Sequence, residues 1–162
     1  MEPTWDELIL NPTGVDIDEL LSEWRWLVDE RYSPVAITAF GDLFLRASDD
    51  SIHRLDAGLG DFSRVAQSLY DFKRKASRPE HREDWFHPQL LSELHREGMT
   101  LGPSQCYGYK IPPILGGTHE AGNFEPTSLA VHHGILGQIV RQVKALPPGT
   151  PISQVDIEGP SE

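Results

Sequence analysis

The chain is 162 residues long, contains 38% hydrophobic residues and has a formal net charge of −11 at pH 7. Its length is typical of one domain, and its charge would repel phosphate groups, which argues against direct binding to nucleic acid or to an anionic membrane. No apolar run approaches the ~20 residues needed to cross a bilayer. The first eleven residues hold no Lys or Arg, unlike a secretory signal, and Cys106 is the single cysteine. A cytoplasmic location is therefore the default expectation.

The predicted elements begin after an irregular N-terminal lead-in, residues 1–15. Asp16 is a good cap for a first helix from Ile17 to about Val28, in which apolar residues recur at helical spacing. Trp24 lies on the apolar side of this helix, so we interpret it as a core residue.

Residues 35–56 change period and consist of short runs rich in β-forming residues, separated by Gly and Asp. This pattern predicts an antiparallel meander. Within it, Leu43 and Leu45 alternate with Phe44, so we expect both faces of the middle strand to be covered.

The second half of the chain predicts helices, one strand and a last helix. The segments are a helix from Phe62 to about Lys73 capped by Asp61, a polar link to Arg82, a helix from Pro88 through Glu97, a strand from Cys106 to Ile111, a last helix capped by Thr127 and running to about Leu146, and a short strand over residues 152–157. This order does not alternate as βαβ units do. It predicts an α+β fold, with a mostly antiparallel sheet and helices packed against it, in a single domain over residues 16–157 followed by a loose tail over residues 158–162.

Seven histidines invite a search for a metal site. Those at positions 81, 87 and 95 are six and eight residues apart, whereas zinc ligands on one helix are usually three or four apart. His132 and His133 are neighbours, and adjacent side chains on a helix diverge. We therefore predict neither a metal nor another cofactor.

The sequence also lacks a local signature of catalysis. Cys106 has no nearby feature that would activate a thiolate, so we interpret it as a small buried hydrophobe. Ser104 lacks the Gly-x-Ser-x-Gly elbow, and Gly116-Gly117 is not followed by the Lys-Ser or Lys-Thr of a phosphate-binding loop. We expect no catalytic residue, although a hydrolase using Cys106 or a pair of carboxylates stays an alternative.

Two groups of segments resemble a known bacterial family. They are Trp24-Arg25-Trp26 with Phe40-Gly41-Asp42-Leu43-Phe44-Leu45, and Gln105-Cys106-Tyr107-Gly108-Tyr109-Lys110-Ile111-Pro112-Pro113-Ile114-Leu115-Gly116-Gly117 with His132, Ile135-Leu136-Gly137-Gln138 and Pro147-Pro148-Gly149. Together they are similar to the C-terminal domain of a type VI secretion DNase-immunity protein, a family related to the SUKH superfamily of immunity and cell-wall-regulator-like proteins. The resemblance covers about residues 15–155. It implies an α+β fold and neutralisation of a toxin by direct binding, and it supplies no catalytic residue.

The resemblance implies a protein partner, such as a basic nuclease toxin, whose phosphate-binding cleft an acidic protein can enter. The candidate contacts are acidic residues expected at the surface and two tyrosines of the predicted strand: Asp49, Asp50, Glu80, Glu83, Asp84, Glu120, Tyr107 and Tyr109. The tyrosines suit core packing equally well. The alternative function is a regulatory or scaffolding adaptor with a partner that is not a toxin, and no oligomeric state is predicted.

Overall fold

A computed structural model describes residues 2–152 and 154–158 of the chain, which form six α-helices and six β-strands. The helices are α1 (Trp5–Leu8), α2 (Ile17–Leu20), α3 (Leu69–Ala76), α4 (Pro79–Phe86), α5 (Pro88–Arg96) and α6 (Leu129–Lys144). The strands are β1 (Ser33–Ile37), β2 (Leu43–Arg46), β3 (Ile52–Asp56), β4 (Asp61–Ala66), β5 (Gln105–Tyr109) and β6 (Phe124–Ser128). Among these described residues, no helix is both long and apolar enough to cross a membrane.

The strands form two antiparallel sheets, which confirms the predicted α+β class. The larger sheet has the order β1-β2-β3-β4, and the smaller one pairs β5 with β6. Phe44 packs on one side of the larger sheet with Phe72 and Phe86, while Leu43 and Leu45 pack on the other side in a second core cluster. Both faces of the middle strand are thus covered, as its alternating pattern predicts.

The predicted helix from Phe62 to Lys73 is wrong in its first half. Residues 61–66 form β4 and pair with β3, and α3 begins only at Leu69. The cap of α3 is Ser68, whose hydroxyl accepts a hydrogen bond from Asp71 N–H at 3.1 Å. In so short a stretch, an apolar pattern at helical spacing fits a half-buried strand as well as a helix. Residues 61–66 form the strand because β3 offers them an edge with which to pair.

Several boundaries also differ from the prediction. The first helix is shorter than predicted and continues only as a 3-10 turn over Ser22–Trp24. The predicted polar link is helical: it forms the last turn of α3 and the first turn of α4. The predicted lead-in contains α1, and Ile9 then bridges to Thr38 beside β1. The predicted last strand is wrong, because residues 152 and 154–158 contain none. Apart from Glu158, the predicted loose tail lies outside the described residues.

Helix α6 packs unusually close to the 3-10 turn that contains Trp24. A Cβ atom at Gly137 would lie 2.7 Å from the backbone oxygen of Glu23, so only glycine permits this approach. The short distance brings the preceding turn of α6 against Trp24, whose ring lies 6.3 Å from that of His133. This contact positions the polar core described below.

Candidate functional site

A buried ion pair lies where β2 begins. Asp42 is 3% exposed, and its carboxylate accepts hydrogen bonds from the guanidinium of Arg54 at 3.0 Å and from Ala57 N–H at 3.2 Å. Burial raises the pKa of Asp42 to about 7, and Asp56 adds to this effect while Arg54 opposes it. Arg54 also donates a hydrogen bond to the backbone oxygen of Asp84 at 3.3 Å. The pair therefore ties the end of α4 to the centre of the larger sheet.

A second buried polar contact joins α6 to the 3-10 turn of Trp24 and to Gly41, the residue before Asp42. The indole N–H of Trp24 donates to His133 Nδ1 at 3.1 Å, and His133 Nε2 donates to the backbone oxygen of Gly41 at 2.6 Å. Since Nδ1 accepts and Nε2 donates, the imidazole is neutral, and burial lowers its pKa to about 4. Burial, reinforced by His133, also holds the pKa of His132 well below its usual value. Both imidazoles thus serve the core as neutral groups, and Trp24 is the core residue that its spacing predicts.

Cys106 is fully buried between these pairs, as predicted. Burial and the neighbouring Asp42 raise the pKa of its thiol, so the sulfur is protonated at neutral pH. A thiol in this state is a poor nucleophile, and no substrate reaches it without opening the core. This burial removes the version of the hydrolase alternative that depends on Cys106.

The surface nearest to the buried ion pair carries two more histidines, and we call it the histidine face: Asp84, His87, Tyr109, His119 and Glu120. The rings of His87 and His119 are 5.6 Å apart, and those of Tyr109 and His119 are 5.7 Å apart. Burial first, and then the nearby charge of His119, lowers the pKa of His87 to about 4. His119, Glu120 and Asp84 are exposed, whereas His87 and Tyr109 are half-buried.

Three of the predicted contact residues belong to the histidine face: Tyr109 contacts His119, Glu120 follows His119 in the chain, and the charge of Asp84 acts on His87. Glu80 and Glu83 are exposed on α4 beside it. Among the described residues, no group of three or more His, Cys, Asp or Glu side chains is arranged to hold a metal ion.

The other predicted contacts lie elsewhere. Asp49 and Asp50 are exposed in the turn between β2 and β3, at the end of this hairpin remote from Asp42. Asp50 forms an ion pair with Arg46 at 2.8 Å. Tyr107 is 1% exposed and its hydroxyl donates to the backbone oxygen of Met99 at 2.8 Å. The sequence leaves open whether Tyr107 contacts a partner or packs in the core. The structure places it in the core, where its ring offers no surface to a partner.

Sequence reasoning missed Arg54, His87 and His119. For Arg54, a weak signal was present, because a charged residue inside a predicted strand near Asp42 favours a partly buried ion pair. The two histidines come from segments that are far apart in sequence, and no local pattern predicts their contact.

Two comparisons with known proteins bear on this site. Residues 66–140 match the family model described as T6SS immunity protein Tdi1, C-terminal. In fold the chain is similar to the crystal structure of Atu4351 from Agrobacterium tumefaciens, with a TM-score of 0.52 and 15% sequence identity over 85% of this chain and 70% of that chain. At this identity the structural likeness shows the fold alone. No curated protein matches the chain.

The matched segment runs from the end of β4 into α6 and contains the whole histidine face, Cys106 and both core histidines. It thus includes the second group of motifs on which the sequence resemblance depends, except for Pro147-Pro148-Gly149, and it confirms the predicted resemblance to the type VI secretion immunity family. The relation to the SUKH superfamily stays a prediction. Over residues 66–140, the chain is similar to the T6SS immunity protein Tdi1 C-terminal family.

Proposed function

We propose that the chain is an immunity protein that neutralises a cognate bacterial toxin by binding it directly, without catalysis of its own. The observation that carries this proposal is the family match over residues 66–140. The family's description names an immunity protein, and direct binding of a toxin is the simplest way for a small protein to provide immunity.

The chemistry of the core supports binding over catalysis. The one thiol is buried and protonated, and both histidines of α6 are buried with lowered pKa values, with the two nitrogens of His133 hydrogen-bonded to Trp24 and Gly41. Groups that act as nucleophile or general base must reach a substrate and exchange protons near the working pH. Neither Cys106 nor His133 meets these requirements.

The charge of the chain supports a basic partner. With a formal net charge of −11, the protein would accelerate its encounter with a basic toxin, and the effect would weaken as salt rises. We propose that the acidic contact centres on α4 and the histidine face, because Glu80, Glu83, Asp84 and Glu120 are exposed there beside Tyr109. Asp49 and Asp50 lie apart from this surface and, on this proposal, contribute less.

The direct test is co-expression with the toxin encoded by the neighbouring gene. We expect the chain to restore growth of bacteria that produce the toxin, and to elute with it as a stable one-to-one complex in size-exclusion chromatography. A chain that gives no protection and forms no complex, although it is folded, would refute the proposal.

A further inference from the structure

An open groove lies between α3 and the free edge of β1, on the side of the sheet away from α6. It has a volume of ≈ 600 Å³. Its apolar lining includes Phe72 and Phe86, which are almost fully buried, together with the half-buried Leu69 and Val35. Trp5 of α1 borders the groove and is 40% exposed. We call this site the β1 groove.

Within residues 2–152 and 154–158, the chain covers only half of the β1 edge itself. After α1, the segment around Ile9 adds to this edge, with Leu10 N–H donating to the oxygen of Ile37 and Ala39 N–H donating to that of Leu8. Beyond Leu10 the chain leaves the sheet, and residues 33–36 make no further backbone hydrogen bonds with other described segments outside their ladder to β2. The apolar groove beside them is therefore accessible.

The described tail of the chain does not fill the groove. Backbone oxygens of Asp156 and Glu158 accept hydrogen bonds from Gln142 and Gln138 of α6, on the other side of the fold. As far as it is described, the tail is thus committed to a different surface.

The charge of the groove is opposite to that of the molecule. Its charged lining residues are Arg46 and Lys73, and no carboxylate among the described residues lines it. Arg46 is already paired with Asp50. The ammonium group of Lys73 makes no ion pair or hydrogen bond within the part of the chain that the structure describes. In a protein with a net charge of −11, this arrangement favours an anionic group in the ligand.

We propose that the β1 groove is a second docking site for the toxin, distinct from the acidic contact and dependent on the proposed function. It takes a short segment that places an apolar side chain on the floor formed by Phe72 and Phe86 and a carboxylate beside Lys73. Pro34 and the irregular register near Val35 limit backbone pairing at this edge. Side chains, rather than a continued ladder, therefore supply the affinity.

The test compares two groove variants with two matched controls, using the full chain and its cognate toxin in titration calorimetry. Lys73→Glu reverses the charge of the groove, and Ser77→Trp fills it from the exposed end of α3. The control Arg64→Glu makes the same charge change on β4, at the opposite edge of the sheet. The control Ser22→Trp replaces another exposed serine whose hydroxyl donates to a backbone oxygen of the preceding turn.

We expect each groove variant to weaken binding about tenfold or more, while each control stays within about threefold of the wild-type chain. Circular dichroism melts should show that all four variants are folded. Hydrogen exchange should also show protection of residues 33–36 and 69–77 in the complex.

Wild-type affinity in both groove variants would overturn the inference and leave the proposed function standing. A groove that mediates association between two copies of the chain, detected by sedimentation of the free protein, would overturn the assignment to the toxin. A wild-type chain that does not bind the toxin would refute the proposed function and, with it, this second site.

Discussion

The neutral imidazole of His133 offers a sharp prediction, because both of its nitrogens are committed to buried partners. Replacing His133 with Phe keeps a ring of similar shape but removes the acceptor of the Trp24 indole and the donor to the Gly41 oxygen. A buried polar group left without a partner costs about 1–3 kcal/mol. We therefore expect His133→Phe to lower the free energy of unfolding by roughly 2–5 kcal/mol at neutral pH.

The same residue predicts a dependence of stability on pH. Burial lowers its pKa from 6.5 to about 4, so between these pH values the unfolded chain binds a proton at His133 and the folded chain does not. The stability that His133 contributes is fully present above pH 6.5 and is lost as the pH falls toward 4. The complete loss is about 3 kcal/mol, of which about 2 kcal/mol is reached near pH 5.

Urea denaturation followed by tryptophan fluorescence, at about pH 7 and about pH 5, measures both effects. The drop in stability between the two pH values should be smaller in His133→Phe than in the wild-type chain by about 2 kcal/mol. His119→Phe is the control, since His119 is exposed and its replacement should change stability by less than about 0.5 kcal/mol. Equal pH dependence in His133→Phe and the wild-type chain would refute the reasoning.

Three further predictions concern the turn before β2, the buried ion pair and the acidic surface. Gly41→Ala should destabilise more than Gly98→Ala in thermal melts, because both glycines have positive φ but only at Gly41 would a Cβ atom meet a histidine ring, at 2.6 Å. Arg54→Met should cost about 1–3 kcal/mol in urea denaturation, since it leaves the buried carboxyl group of Asp42 without its guanidinium donor. Glu83→Lys should slow association with the toxin in stopped-flow mixing more than Asp49→Lys does, because Glu83 borders the histidine face.

Each of these comparisons has a contradicting outcome. Equal melting temperatures for the two glycine variants would show that a Cβ atom at Gly41 is accommodated beside His132 without loss of stability. An Arg54→Met variant as stable as the wild-type chain would contradict the structural role of the ion pair. Equal association rates for the two lysine variants would place the acidic contact elsewhere.

The sequence predicts those parts of the fold in which the pattern of apolar residues fits only one kind of secondary structure. In β2, alternation of Leu43 and Leu45 with Phe44 requires two covered faces, and the structure has two core clusters there. The segment after Asp61 has no such constraint, because Phe62 and Val65 suit a helix or a strand. The partner strand β3 determines the outcome, and it becomes visible only in three dimensions.

The site is less accessible to sequence reasoning than the fold. The exposure of Asp84 and Glu120 follows from their charge, and the burial of Cys106 from its apolar surroundings. The β1 groove depends on where α3 begins and where the first segment leaves the sheet near Leu10, and both are decided by tertiary pairing. The burial of Tyr107 likewise depends on which face of β5 meets the core.

We propose that this chain neutralises a toxin by docking rather than by chemistry. Titration of the purified chain into its purified cognate toxin, followed by intact-mass measurement of both proteins, tests it most directly. We predict saturable one-to-one binding that weakens as salt rises, with both masses unchanged. A toxin that is cleaved or modified by a small amount of the chain, or that does not bind it, would contradict the claim.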